Sequence, residues 1–310
     1  MVSFIFFKVA KTKLKIVYIG ASNFGLSCLK KINLLSDIEI VGIITGPSEF
    51  NISYSKDKVK NVLYSDFHPY ALKKKIPIET LDSKMNDPYL LRSMEAWNPD
   101  LVIVVGWYHM IPKKWLQKFI FLGMHASLLP RYSGGAPLVW AMINGEQKTG
   151  ITLFKMDSGV DSGPILNQGS VRITQKDTIK TLYKKIESQG IKILIHSIKL
   201  WVKNKIEFKN QIESDRTIFP QRSPEDGLID WDKNASEIDR FIRAQTKPYP
   251  GAYFLHQNKK IIIWTAFTSS LRITLKEPGS LILYRNRKYV AAKDSWIRLE
   301  KFEITNAQSV

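Results

Sequence analysis

Leu101-Val102-Ile103-Val104-Val105 is five consecutive apolar residues closed by Gly106. A run with no polar face is buried on both sides, which is the condition of an interior strand in a parallel sheet. Residues 15–19 and 38–45 are further β-rich runs, the first closed by Gly20-Ala21-Ser22-Asn23-Phe24-Gly25. Between these runs the apolar periodicity predicts helices over 26–34, 67–75 and 88–97 and a short strand at 76–78. Strand, tight turn and helix in alternation give an open, mostly parallel α/β sheet. GASNFG is not GxGxxG, so this turn reads as a strand-to-helix connection rather than a dinucleotide fingerprint.

In open α/β sheets ligands bind beyond the carboxyl ends of the strands. That rule places Gly106-Trp107-Tyr108-His109-Met110-Ile111 in a crevice, although Trp107 and Tyr108 are equally consistent with ordinary packing. The chemistry-bearing stretch is 123–163. His125 follows the apolar run 115–122 and precedes Pro130, which ends regular structure. Asp161 lies in the turn Asp157-Ser158-Gly159-Val160-Asp161-Ser162-Gly163, just after the apolar run 151–156. Neighbouring strand ends would bring imidazole and carboxylate together, fixing the ring tautomer and strengthening the nitrogen that faces a substrate. Position alone leaves the plainer readings open: a core histidine, and an aspartate that closes its own turn.

The ordered series His125-Ala126-Ser127-Leu128-Leu129-Pro130, Gly134-Gly135-Ala136-Pro137, Asn144-Gly145-Glu146, Thr149-Gly150-Ile151-Thr152 and Met156-Asp157 through Asp161-Ser162-Gly163 resembles the signature of the 10-formyltetrahydrofolate-dependent formyltransferases. That family includes methionyl-tRNA, glycinamide ribonucleotide and sugar N-formyltransferases. The resemblance implies a Rossmann-like catalytic domain and a catalytic trio of Asn, His and Asp. His125 and Asp161 fall on the His and Asp, while Gly123 stands where the family has Asn. The family's Asn amide holds the developing oxyanion, and losing such a donor raises a barrier by roughly 2.7 to 4 kcal/mol. Either a backbone N–H, a water or a side chain such as His109 replaces it, or the chain is a non-catalytic folate- or nucleotide-binding relative.

The same resemblance assigns 10-formyltetrahydrofolate as co-substrate, clasped by residues 106–111 and by Asp157, Ser158, Gly159 and Val160 largely through backbone groups. Ser127, Leu128, Arg131, Gly134 and Gly135 are expected on the acceptor side, where small residues let a ligand approach the backbone. Residues 46–66 form a long polar loop. In methionyl-tRNA formyltransferases this region carries a basic PDRPxGRG-like insertion; here it reads GPSEFNISYSKDKVKNVLYSD, without that motif. A nucleotide-linked amino sugar is therefore the expected acceptor, with tRNA as the alternative.

Beyond Pro164 the pattern predicts strands over 164–173, then a helix to residue 203 capped by Asp177-Thr178. The expected organisation is a lead-in at 1–13, a catalytic domain at 14–204, a linker at 205–223 and a β-rich domain at 224–310. Short strands at 260–264, 279–283, 289–292 and 296–299 predict a small OB-like barrel. Its pairing of Pro224-Glu225-Asp226-Gly227-Leu228-Ile229-Asp230-Trp231 with Pro248-Tyr249-Pro250-Gly251-Ala252 looks closer to the sugar branch. Arg222, Arg243 and Tyr249 are candidates to reach a substrate phosphate or ring, against the commoner reading of surface ion pairs.

The net charge of +18 invites a polyanion, yet the lysines are dispersed and equally suit a solvated surface or an anionic nucleotide. Cys28 is the only cysteine, which excludes an internal disulfide and fits a reducing cytoplasm. No histidine spacing points to a metal, no apolar run is long enough to span a membrane, and no signal-peptide cleavage site follows the apolar start. The sequence leaves the oligomeric state open, a homodimer included.

Overall fold

The structure, a computed structural model, describes residues 13–51, 58–81, 84–271 and 273–306. Nearly all of the expected lead-in and the middle of the 46–66 loop lie outside these residues. The described chain opens with strand β1 (Leu14–Ile19), helix α1 (Asn23–Ile32) and strand β2 (Ile38–Thr45). Two short strands, β3 (Glu49–Phe50) and β4 (Val59–Lys60), pair within the long loop. Helix α2 (His68–Lys74), strand β5 (Ile78–Thr80), helix α3 (Pro88–Trp97), strand β6 (Leu101–Val104), helix α4 (Lys113–Lys118) and strand β7 (Phe121–His125) follow. Next come β8 (Ser133–Gly134), α5 (Pro137–Ile143), β9 (Lys148–Lys155), β10 (Ile165–Arg172) and α6 (Ile179–Val202). After the short strand β11 (Ile218–Phe219) the chain ends with α7 (Ala235–Gln245) and strands β12 (Ala252–His256), β13 (Lys259–Ser269), β14 (Leu281–Tyr284), β15 (Arg287–Ala291) and β16 (Trp296–Asn306).

The seven-stranded sheet has the order β10-β9-β7-β6-β1-β2-β5. Parallel pairing runs from β5 through β2, β1 and β6 to β7. As expected from its sequence, β6 is buried along its whole length, and β1 is buried from Ile16 to Ile19. The chain divides into two compact units: residues 1–124, 153–159 and 191–209, and residues 125–152, 160–190 and 210–310.

In the first unit Val17, Ile19, Val102 and Val104 from the strands pack with Leu90, Leu91 and Met94 of α3 and with Trp115. Helix α1 starts where Ser22 accepts the Gly25 N–H (3.0 Å), a capping bond that satisfies an otherwise orphaned donor. Gly106 ends β6 at φ +64°, and a Cβ there would run into Ser22 Oγ. This close packing of the strand end on the first turn is what a side chain at 106 would break.

The second unit holds a five-stranded antiparallel sheet of order β12-β13-β16-β15-β14. Ile238 and Ile242 of α7 pack with Phe254, Ile263, Val290 and Ile297 to form its core. Among the described residues no helix is long and apolar enough to cross a membrane.

Candidate functional site

His125 is the last residue of β7, and β9, the neighbouring strand in the sheet, leads into the turn that carries Asp161. Both residues belong to the second unit. His125 Nδ1 lies 3.4 Å from Asp161 Oδ2, with side chains 11% and 21% exposed, so the pair is sheltered yet reachable. Asp161 Oδ2 also accepts the Gly134 N–H at 2.9 Å. The other ring nitrogen, Nε2, is 2.7 Å from the carbonyl oxygen of Tyr132.

That last bond sets the tautomer. A carbonyl only accepts, so Nε2 carries the proton of the neutral ring and Nδ1 keeps the lone pair. The nitrogen able to accept a proton is therefore Nδ1 beside Asp161, and not the nitrogen pointing away from the carboxylate that the pattern of the sequence led one to expect. A proton taken at Nδ1 gives an imidazolium with an acceptor at each end. The arrangement is suited to receiving a proton from a nucleophile and stabilising the cation that results.

Asp161 sits at φ +53°, unusual for a residue with a side chain, and Tyr132, Gly134 and Ala136 are also left-handed. Such backbone persists only where surrounding bonds determine it, and the second unit supplies them from residues the sequence marked only as linker. Strand β11 pairs in parallel with β8, Ile218 opposite Ser133 and Phe219 opposite Gly134. Thr217 Oγ1 accepts the Tyr132 N–H at 2.8 Å, and the Phe219 carbonyl accepts from Gly135 N at 2.8 Å. The Tyr132 ring stacks on Phe219 with centroids 4.8 Å apart, and its hydroxyl donates to Glu146 at 2.8 Å. Gln211 Nε2 reaches the carbonyls of Asp161 (2.8 Å) and Gly163 (2.7 Å), and the Arg216 guanidinium bonds the Val160 carbonyl. No local motif foretells contacts that join side chains to backbone 48 or more residues away.

Several other expected site residues have structural work. Ser127 is fully buried, its hydroxyl donating to the Arg131 carbonyl at 2.7 Å, and Leu128 packs onto Gly150. Arg131 pairs with Glu146. At Gly134 and Gly135 it is the chain itself that comes close: a Cβ would strike the Phe219 carbonyl and the Gln221 backbone respectively. Arg222 lies over Trp140 (4.6 Å) and bonds Gln245, and burial pulls its pKa down. Arg243 bonds Asp239 and the Asp177 carbonyl, each at 2.7 Å, which is the ion-pair reading. Tyr249 hydroxyl meets that of Tyr183 at 2.6 Å.

In the first unit Ile111 is buried in the core, whereas Tyr108 and Met110 are exposed. His109 packs between Trp107 (5.4 Å) and Phe50 (5.0 Å), and burial holds its pKa below the usual range, which keeps it neutral. Trp107 Nε1 is buried without a hydrogen-bond partner. In the turn after β9, Asp157, Ser158 and Gly159 are exposed, Asp157 Oδ1 accepting the Gly159 N–H at 3.0 Å, and Val160 is exposed as well. Gly123 is backed by Met156 and Phe154: a Cβ would lie 3.0 Å from Met156 Cγ, 3.1 Å from its sulfur and 3.2 Å from Phe154 Cε1. Side chains of the first unit thus occupy the ground where an amide would begin.

Residues 15–198 match the family profile described as formyl transferase, and residues 222–310 match that of the formyl transferase C-terminal domain. The chain is 36% identical over 261 residues to the bifunctional polymyxin resistance protein ArnA of Wigglesworthia glossinidia brevipalpis, covering 83% of this chain but only 38% of that longer protein. It is 32% identical to the methionyl-tRNA formyltransferase of Thermodesulfovibrio yellowstonii, covering 92% of this chain and 89% of that one. The crystal structure of an N-formyltransferase from Helicobacter canadensis, in complex with folinic acid and dTDP-3-aminofucose, superposes with a TM-score of 0.68 at 21% identity, over 94% of this chain and 100% of that one. With both domain profiles matched in order, and the Thermodesulfovibrio yellowstonii enzyme matched over 89% of its length, the chain belongs to the formyl transferase family.

Proposed function

We propose that this formyltransferase carries the formyl group of 10-formyltetrahydrofolate to the primary amine of a nucleotide-linked amino sugar, with His125 and Asp161 as its catalytic pair. The observation that carries the reading is the placement of His125 Nδ1 beside Asp161 Oδ2 while Tyr132 holds Nε2. The donor supplies an activated formyl carbon, to which the amine nitrogen bonds as the carbon–nitrogen bond to tetrahydrofolate breaks. His125 Nδ1 takes the proton that the amine must shed, Asp161 holds the imidazolium so formed, and that proton passes on to the departing tetrahydrofolate nitrogen, which leaves as the neutral amine. Holding amine and formyl carbon together supplies much of the remaining acceleration.

The residues fit a folate donor. Exposed Tyr108 and Met110 beside the unsatisfied indole N–H of Trp107 suit a flat ring with polar edges. Gly123 offers no amide for the developing oxyanion, so a backbone N–H, a bound water or the neutral His109 must stand in. Formyl transfer no faster than in His125→Ala would instead make the chain a binding relative without turnover.

The acceptor reading rests on residues 46–66, which lack the basic insertion of the tRNA branch. Methionyl-tRNA is the second reading, favoured by the full-length similarity to such enzymes and by the +18 charge. One assay separates them: formyl donor with either a panel of nucleotide-linked amino sugars or charged initiator tRNA, following loss of the donor's formyl group. Turnover with a sugar nucleotide supports the first. Turnover with tRNA alone, with affinity falling steeply as salt rises, supports the second.

A further inference from the structure

We propose that Gln211 is a positioning residue for catalysis: its amide clamps the turn that presents Asp161 to His125, an inference that rests on the catalytic pair named above. One side-chain amide donates both its hydrogens, to the carbonyls of Asp161 and Gly163. Only Nε2 can face two carbonyl oxygens, which fixes the orientation of the amide. Its Oε1 is then buried without a partner. Burying an acceptor unpaired is unfavourable, and the arrangement persists because the other end of the same amide binds twice.

What the clamp holds is a residue that would otherwise relax. Asp161 is left-handed at φ +53°, and rotation out of that region would swing its carboxylate away from Nδ1. Arg216 adds a third tie, to the Val160 carbonyl, with its own Nε buried and unpartnered. The Asp161 side of the pair is thus held by Gln211 and Arg216, and the His125 side, through Tyr132, by Thr217 and Phe219. All four lie within residues 211–219, so one short segment sets the distance between the two catalytic groups.

The test uses the full-length enzyme carrying Gln211→Met, which keeps the length of the side chain and removes both donors, and Gln211→Glu, which sets a carboxylate against the two carbonyls. Both are compared with wild type for folding by circular dichroism, for kcat and KM, and for the 15N shifts of the His125 ring. The expected result is a fall in kcat of about 10- to 100-fold, with KM for either substrate changed less than about threefold. The Nδ1 resonance should move while Nε2, still on the Tyr132 carbonyl, keeps its shift. Gln211→Asn, too short to reach both carbonyls, should not rescue. Unchanged His125 shifts and unchanged kcat in a folded variant would overturn the clamp, as would a loss confined to KM. The ring shifts need no substrate, so they decide the clamp even where the acceptor assigned above proves wrong.

Discussion

At the scale of single residues, the proposed chemistry turns on which nitrogen of His125 keeps its lone pair. Asp161→Asn keeps an oxygen for the Gly134 N–H but removes the charge facing Nδ1. Its kcat should fall by about 10- to 100-fold with the fold intact, and steady-state kinetics with either acceptor class checks this. Gly123 makes a separate prediction. If another group already holds the oxyanion, Gly123→Asn should leave kcat within about threefold; a gain of about 100-fold would mean the site lacks the donor. Crowding against Met156 and Phe154 should lower stability by about 1 to 3 kcal/mol in that variant, read from denaturant unfolding. His125 and Asp161 were legible because both sit in an ordered motif. Tyr132 as the partner of Nε2 was not, because it acts through its carbonyl, which no residue type announces.

Among the elements, strands 38–45 and 101–104 and helix 88–97 were readable almost to the residue from apolar runs. What periodicity missed is short and non-local. Strand β11 exists only because Ser133 and Gly134 offer it a partner, and two residues leave no pattern to detect. The start of α6 makes a prediction of its own. Burial alone would push the pKa of Asp177 up, but bonds from Lys185, from the N–H and hydroxyl of Thr174 and from Thr181 outweigh it and bring it down to about 2. A carboxylate so lowered from its usual 3.8 contributes about 2 kcal/mol. The contribution is present in full above the usual carboxylate range and is lost as pH falls toward about 2. Asp177→Asn should therefore unfold more easily by about 2 kcal/mol at neutral pH, and the gap to wild type should narrow in urea titrations below about pH 4.

For the molecule as a whole, the mostly parallel sheet and the β-rich C-terminal domain followed from the alternation of patterns along the chain, whereas the strand order and the acceptor did not. A charge of +18 serves a sugar nucleotide and a tRNA alike, so the choice rests on one loop and on measurement. The most direct measurement is single-turnover release of formyl from 10-formyltetrahydrofolate in the presence of a nucleotide-linked amino sugar, by wild type and by His125→Ala. Wild type should transfer formyl to the sugar amine at least about 100-fold faster than the variant. Equal rates in the two proteins, or wild-type transfer to charged initiator tRNA and to no sugar nucleotide, would contradict the proposed reaction.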